Sequence, residues 1–198
     1  MRRGMEARVR NVVPFVSALV ALGSARGAGQ TVTYSFNAHT ISLTLPPDYR
    51  FQGEASPTPA VKTIAFTTEP RPDGSRGLIQ VSLVDLQQVG AAQRPTLEHF
   101  THSIVDGVRQ RRSQWKEAET LVEVGGVRAR RVEWSGSNEP SPERPPSQAP
   151  SMMRGVMIVG ITGDLAFALH TQDVEPFAAA TVPKSEQALM TFASTRQK

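Results

Sequence analysis

Four turn signals, each lying between two β-rich stretches, constrain this chain more than any other feature. They are Asn37-Ala38-His39, Pro72-Asp73-Gly74, Gly125-Gly126 and Thr162-Gly163-Asp164. Glycine, asparagine, aspartate and proline turn a chain at least cost, and Gly-Gly between two strands is a two-residue hairpin loop. Strands joined this way pair antiparallel, because a parallel partner needs a crossover of a dozen or more residues. The flanking stretches have strand character. Thr-Val-Thr-Tyr-Ser-Phe36 contains no strong helix former, and Thr40–Leu45 places Ile41, Leu43 and Leu45 on one face before Pro46-Pro47 stops it. Lys62–Thr68 and Leu78–Leu86 form the next pair, with Ile79, Val81 and Leu83 sharing a face. Trp115–Val124, Val127–Trp134, Met152–Ile161 and Leu165–Thr171 complete the strands. Arg130 and Arg131 are adjacent, so one of them points inward unless a bulge intervenes.

Two segments carry helical spacing instead. Thr96–Arg112 begins at a threonine suited to capping, repeats Leu97, Phe100, Ile104 and Val108 along one stripe, and ends in arginines that suit the helix dipole. Val182–Ala193 reads as a helix begun by Pro183 and anchored by Leu189 and Phe192. The order strands, helix, strands, helix predicts an α+β domain with a central antiparallel β-sheet flanked by helices. Ser135–Ser151, with five prolines, is too polar to pack and reads as a mobile loop.

Composition narrows the compartment and the chemistry. The chain has 198 residues and no cysteine, so disulfides, thiolate metal sites and cysteine nucleophiles are excluded. Arg2, Arg3, Arg8 and Arg10 precede the apolar run Val12–Leu22, and Gly23, Ser24 and Ala25 follow it. That is the plan of a secretory signal peptide over residues 1–25, ahead of one domain spanning 26–198. The 15 uncharged residues from Asn11 to Ala25 fall short of the ~20 that a membrane-spanning helix needs. The net charge of +4 belongs mostly to this segment, which leaves the remainder nearly neutral and removes the case for nucleic-acid binding. A soluble, exported protein, periplasmic or extracellular and without a transmembrane segment in its mature chain, is expected.

Several residues together resemble a known family. Phe36, the strand Ile41–Leu45 running into Leu-Pro-Pro-Asp-Tyr49, the hairpin Val124–Trp134 and the closing Phe192 are similar to the PsbP-like superfamily over about residues 32 to 194. The resemblance implies a PsbP-like α/β/α sandwich and a binding or accessory role without catalysis or cofactor. The partner, a protein or small ligand, is not implied by it.

Two clusters stand out as candidate sites. His99, His102 and Asp106 lie within about 60° of one another on the helix, opposite its apolar stripe, which is the spacing for a divalent metal and for a small metal-dependent hydrolase as the alternative function. A solvated helix face explains the same three residues. Arg-x-Arg-Arg occurs twice, and Arg109, Arg112, Arg128 and Arg130 would make an anion site if the two copies met in space. Ser75 lies in a turn rather than a nucleophile elbow, and nothing in the sequence links His39 or His170 to a serine. Neither a P-loop nor a dinucleotide fingerprint occurs. Gly23 and Ala25 occupy the −3 and −1 positions of a signal peptidase site, so sequencing of the exported chain is expected to begin at Arg26; a start at Ser24 would select Ala21 and Gly23 instead.

Overall fold

The computed structural model describes residues 29–138 and 151–197. The expected signal peptide and residues 139–150 of the Pro-rich tract lie outside the described residues. Among the described residues, with one 3-10 turn at Ala91–Gln93, ten strands and two α-helices follow in chain order. They are β1 (Gln30–Phe36), β2 (His39–Leu45), β3 (Tyr49–Thr58), β4 (Val61–Thr68), β5 (Leu78–Asp85), α1 (Leu97–Arg109), β6 (Arg112–Val124), β7 (Val127–Asn138), β8 (Met152–Thr162), β9 (Leu165–Val174), α2 (Ala178–Leu189) and β10 (Ala193–Arg196). Every strand pairing is antiparallel.

Hairpins generate most of the topology. The Asn37-Ala38 turn folds β1 onto β2, with Asn37 in the left-handed region that asparagine tolerates. Strand β10 returns to the other edge of β2, giving a three-stranded sheet in the order β1-β2-β10. The remaining strands form a seven-stranded sheet, β3-β4-β5-β9-β8-β7-β6. Gly125 and Gly126, both at positive φ, make the tight turn between β6 and β7. The segment containing α1 carries the chain from β5 to the far edge, and successive hairpins then bring β9 back against β5. Leu78 stands opposite Gln172, and Asp85 opposite Leu165.

The two faces of the large sheet are covered differently. On one face Thr101 and Val105 of α1 are buried, and Val105, Ile104 and Val108 pack with Val132, Trp134, Met153 and Met157. Thr96 caps this helix, its side chain accepting from the His99 N–H at 3.2 Å. On the other face α2 and the three-stranded sheet share the work. Ile41, Leu43 and Leu45 meet Ile64, Phe66, Ile79, Leu83, Ile158, Phe167 and Leu169, while Ala178, Val182 and Leu189 close the core from α2. The observed fold is therefore sheet-dominated α+β. A second sheet takes much of the flank that a helix–sheet–helix sandwich would give to helices, since one helix is too narrow to cover seven strands.

Other boundaries also differ from the sequence reading. Helix α1 stops at Arg109, because Arg112 already pairs with Asn138 in β6·β7. Helix α2 begins at Ala178 and holds Pro183 in its interior, where the ring removes only one backbone donor. Ala193 belongs to β10 rather than to the helix. Strand β3 was not expected, and Ser135–Asn138 continue β7 where a loop was expected.

Two glycines in β8 set how closely large side chains approach the sheet. Gly160 lies beneath the Phe167 ring, and Gly155 beneath Trp134. A Cβ on Gly155 would stand 2.5 Å from the Thr171 carbonyl oxygen and 2.6 Å from the Trp134 indole. Gly155→Ala should therefore lower stability by about 1–3 kcal/mol, read as a lower urea midpoint with unchanged m-value.

Candidate functional site

The polar face of α1 carries the three expected metal ligands. His99, His102 and Asp106 line an open depression of about 570 Å³ together with Ser103, Gly107 and Gln110. Asp106 is engaged elsewhere, its carboxylate 3.2 Å from Arg109 Nη1. Among the described residues no three His, Cys, Asp or Glu side chains are grouped so as to hold a metal ion. The helical repeat places these residues on one face without closing a ligand set.

The arginine clusters do not meet. Arg112 stands opposite Asn138, and Arg128 lies ten residues back along the same β7, about 33 Å away at roughly 3.3 Å per residue. Most of the four have local explanations. Arg109 pairs with Asp106 and, at 2.6 Å, with Glu117; Arg130 pairs with Glu119; Arg128 is exposed and opposite Glu123 in register. No bulge separates Arg130 from Arg131, so their side chains take opposite faces, and Arg131 reaches Glu186 of α2.

Arg112 differs from the ion-paired Arg109 and Arg130. Its guanidinium lies over the Trp134 ring, 5.6 Å from the centroid, and makes no ion pair among the described residues. Its Nη1 donates to the Arg111 carbonyl at 3.1 Å and its Nη2 to Gln172 Oε1 at 3.4 Å. Burial, followed by the neighbouring Arg111 charge, lowers its pKa. Trp134 stacks on Trp115 with ring centroids 5.0 Å apart, and lies 5.8 Å from the His170 ring. Arg112 Nε, Trp134 Nε1 and His170 Nε2 are all buried without a hydrogen-bond partner among the described residues.

The opposite face of the same end of the sheet holds a cleft of about 580 Å³, lined among others by Arg50, Glu69, Arg71, Phe177 and Ala180. Its centre is an ion pair. Asp173 is fully buried and accepts from Arg71 Nη1 at 2.8 Å and Nη2 at 2.5 Å, from Thr181 Oγ1 at 2.6 Å and from its neighbour's backbone N–H. Arg71 also donates to Ser75 Oγ at 3.1 Å, which fixes the 70–77 loop and confirms Ser75 as a turn residue. The Phe177 ring lies 4.1 Å from the Arg71 guanidinium carbon and is 37 % exposed. Asp48 and Lys184 form an ion pair at the rim.

A third constellation joins residues that nothing in the sequence connects. Ser194 Oγ lies 3.2 Å from His39 Nδ1, and His39 Nε2 lies 2.9 Å from Asp164 Oδ1. The residue types are those of a hydrolytic triad, but Asp164 is shared with Gln87 Nε2 at 2.5 Å and with Arg196 Nη2 at 3.2 Å. Three side chains thus converge on one carboxylate, and the row fastens β10 and β2 to the β8–β9 turn.

No protein-family model matches the chain, and no curated protein is recognisably similar to it in sequence. Solved structures are similar in fold. Cyanobacterial PsbP (CyanoP) from Synechocystis sp. PCC 6803 aligns with a TM-score of 0.54 at 11 % identity, over 89 % of this chain and 99 % of that one. LpqN, involved in cell envelope biogenesis of Mycobacterium tuberculosis, aligns with a TM-score of 0.49 at 15 % identity, over 79 % and 84 %. The architecture is the PsbP-like fold, as the residues from Phe36 to Phe192 led us to expect.

His170 yields a test of the α1 side. Burial, and then the Arg112 charge, push its imidazole down to about 4. An unfolded imidazole protonates near pH 6.5, so this contribution is complete above that pH and is lost as the pH falls towards 4. His170→Gln should remove a stability loss of about 3 kcal/mol between those limits, measured as the difference between wild-type and variant urea curves across pH.

Proposed function

We propose that this chain is an exported accessory protein without catalysis of its own, which binds a protein partner at the Arg71 cleft. The observation that carries the reading is Phe177 held over a guanidinium that is itself locked by a fully buried carboxylate. An exposed aromatic ring is costly to leave in water, and this one is presented on a rigid support, so little freedom is lost when it is covered. Aromatic and arginine side chains in a desolvated centre, surrounded by charged groups, are the usual anatomy of a binding hot spot. Asp48, Lys184, Arg50 and Glu69 supply that surround, with both signs of charge. The partner's anchor is accordingly an apolar or aromatic side chain on a segment flanked by charges. Support for export comes from the basic, apolar and small-residue plan of the first 25 residues.

A photo-crosslinking residue at position 177, introduced into the full chain in its native cell, should give one discrete adduct. The same residue at Leu121, which is also exposed but lies on β6, should not. Adding Ala180→Arg should abolish the adduct while leaving stability within about 0.5 kcal/mol, as expected for a surface change. Equal adducts from both positions, or one insensitive to Ala180→Arg, would remove the cleft as the binding site.

A further inference from the structure

We infer that the free edge of β1 is a docking strand for a second copy of this chain, the two β1 strands pairing antiparallel about a two-fold axis through Thr33. The two sheets have four edges among the described residues: β1 and β10 on the small sheet, β3 and β6 on the large one. An unpaired edge offers its backbone to any extended chain, and proteins blunt such edges with charge, proline, irregular register or shortness. Three of the four are blunted. Strand β3 has two register shifts and carries Pro57. Strand β6 has one shift and carries Lys116, Glu117, Glu119 and Glu123, while β10 is four residues long and ends on Arg196. Strand β1 has none of these devices. It reads Gln-Thr-Val-Thr-Tyr-Ser-Phe, without charge, proline or glycine, and pairs with β2 in unbroken register over all seven residues. Among the described residues no backbone hydrogen bond reaches its outer edge.

The surroundings of the edge select the occupant. Tyr34 packs edge-on against Phe66 at 6.1 Å, and Phe51 of β3 meets the same ring at 6.2 Å, so the β1 and β3 edges lie on one side of the molecule. Phe51 is 55 % exposed. A strand added about 4.8 Å beyond β1 would lie over it, and needs apolar side chains inward and uncharged ones outward. Strand β1 itself has that pattern: Val32, Tyr34 and Phe36 pack inward, while Thr31, Thr33 and Ser35 are exposed. Centred on Thr33, two copies use all seven residues, with Gln30 opposite Phe36 at the ends. Val32 then meets Tyr34, Thr31 meets Ser35 and Thr33 meets its own copy. Aromatic with β-branched and hydroxyl with hydroxyl are favourable cross-strand pairs, and no like charges are opposed. Burial and then the nearby Glu54 charge raise the pKa of Tyr34, but Glu54 is itself paired with Lys62 at 3.1 Å and brings no unanswered charge to the seam. The edge is separate from the Arg71 cleft, which no residue of β1 lines. Seven residues bury less than a permanent interface needs, so the dimer is a dissociating one.

Sedimentation of the exported chain should show monomer passing to dimer as concentration rises towards ~1 mM. Thr33→Glu and Thr33→Lys each set like charges directly opposite one another, so either variant alone should stay monomeric. Their urea midpoints should match the wild type, because the Thr33 side chain is exposed. An equimolar mixture of the two should restore the dimer. The chain has no cysteine, so single introduced cysteines report the register. Under gentle oxidation Thr33→Cys should give a disulfide-linked dimer, since the two-fold sets its copies opposite, with Cα atoms about 4.5–5.5 Å apart. Thr31→Cys should not, because its copies stand four residues out of register, roughly 13 Å apart. Mixed with Ser35→Cys, it should link. A wild type that stays monomeric to ~1 mM overturns the inference, as does a dimer that survives Thr33→Glu. So does equal linkage from Thr31→Cys and Thr33→Cys. A monomer whose position 33 cross-links to a different protein in cells also overturns it, and assigns the edge to a foreign strand.

Discussion

The β8–β9 hairpin is buried on both faces, and the rest of the molecule is arranged around that constraint. From Gly155 to Gly160 and from Leu165 to Thr171 every residue is buried. Such a hairpin has no solvent side on which to place polar groups, so each one must find a partner inside or wait for one. It also has no room for bulk everywhere, which is why Gly155 and Gly160 lie beneath Trp134 and Phe167. Pairing of β9 with β5 then joins the two halves of the large sheet, and α1, α2 and the small sheet cover what the hairpin leaves apolar.

The polar residues of β9 are consequently where the structure becomes specific. Alternation sends Asp173 to the α2 face and His170 and Gln172 to the α1 face. Asp173 is completed by Arg71 and Thr181, and the pair in turn holds Phe177 at the mouth of a cleft. Among the described residues His170 Nε2 has no partner, and neither do the neighbouring Arg112 Nε and Trp134 Nε1. One strand end therefore carries a fully partnered carboxylate on one face and an imidazole nitrogen without a partner among the described residues on the other. At the opposite end of the same strand, Asp164 closes the molecule by gathering His39, Gln87 and Arg196.

Much of the fold was legible because hairpins are local. The turns at Asn37, Pro72, Gly125 and Gly163 all reverse the chain where expected. Helix α1 turns its apolar side to the sheet, although Thr101 and Val105 are buried there while Leu97, Phe100, Ile104 and Val108 of the predicted stripe are half-buried. Strand β3 was not legible: its stretch from Arg50 to Ser56 lies on a sheet edge, largely exposed on both sides, and so lacks alternation. Of the four residues of β10 only Ala193 was absorbed into the preceding helix, and Ser194–Arg196 were given no element, since a strand that short has no period to detect. Pro183 misplaced the start of α2, because proline favours a first turn but is tolerated in the second when only one carbonyl loses its donor.

For the sites the division is sharper. The arginine repeats were visible as charge, but which arginines are ion-paired depends on cross-strand register, and register pairs Arg130 with Glu119 while leaving Arg112 over Trp134. Arg71 and Asp173, like Ser194, His39 and Asp164, carry no motif because about a hundred residues or more separate their hydrogen-bonded partners in the chain. The sequence by itself determined the antiparallel class, the position of the first helix and the near-neutral charge beyond residue 25, all of which follow from neighbours within a few residues. Tertiary structure alone decided which polar side chains meet and which stay unmatched, because that depends on where β9 docks between β5 and β8.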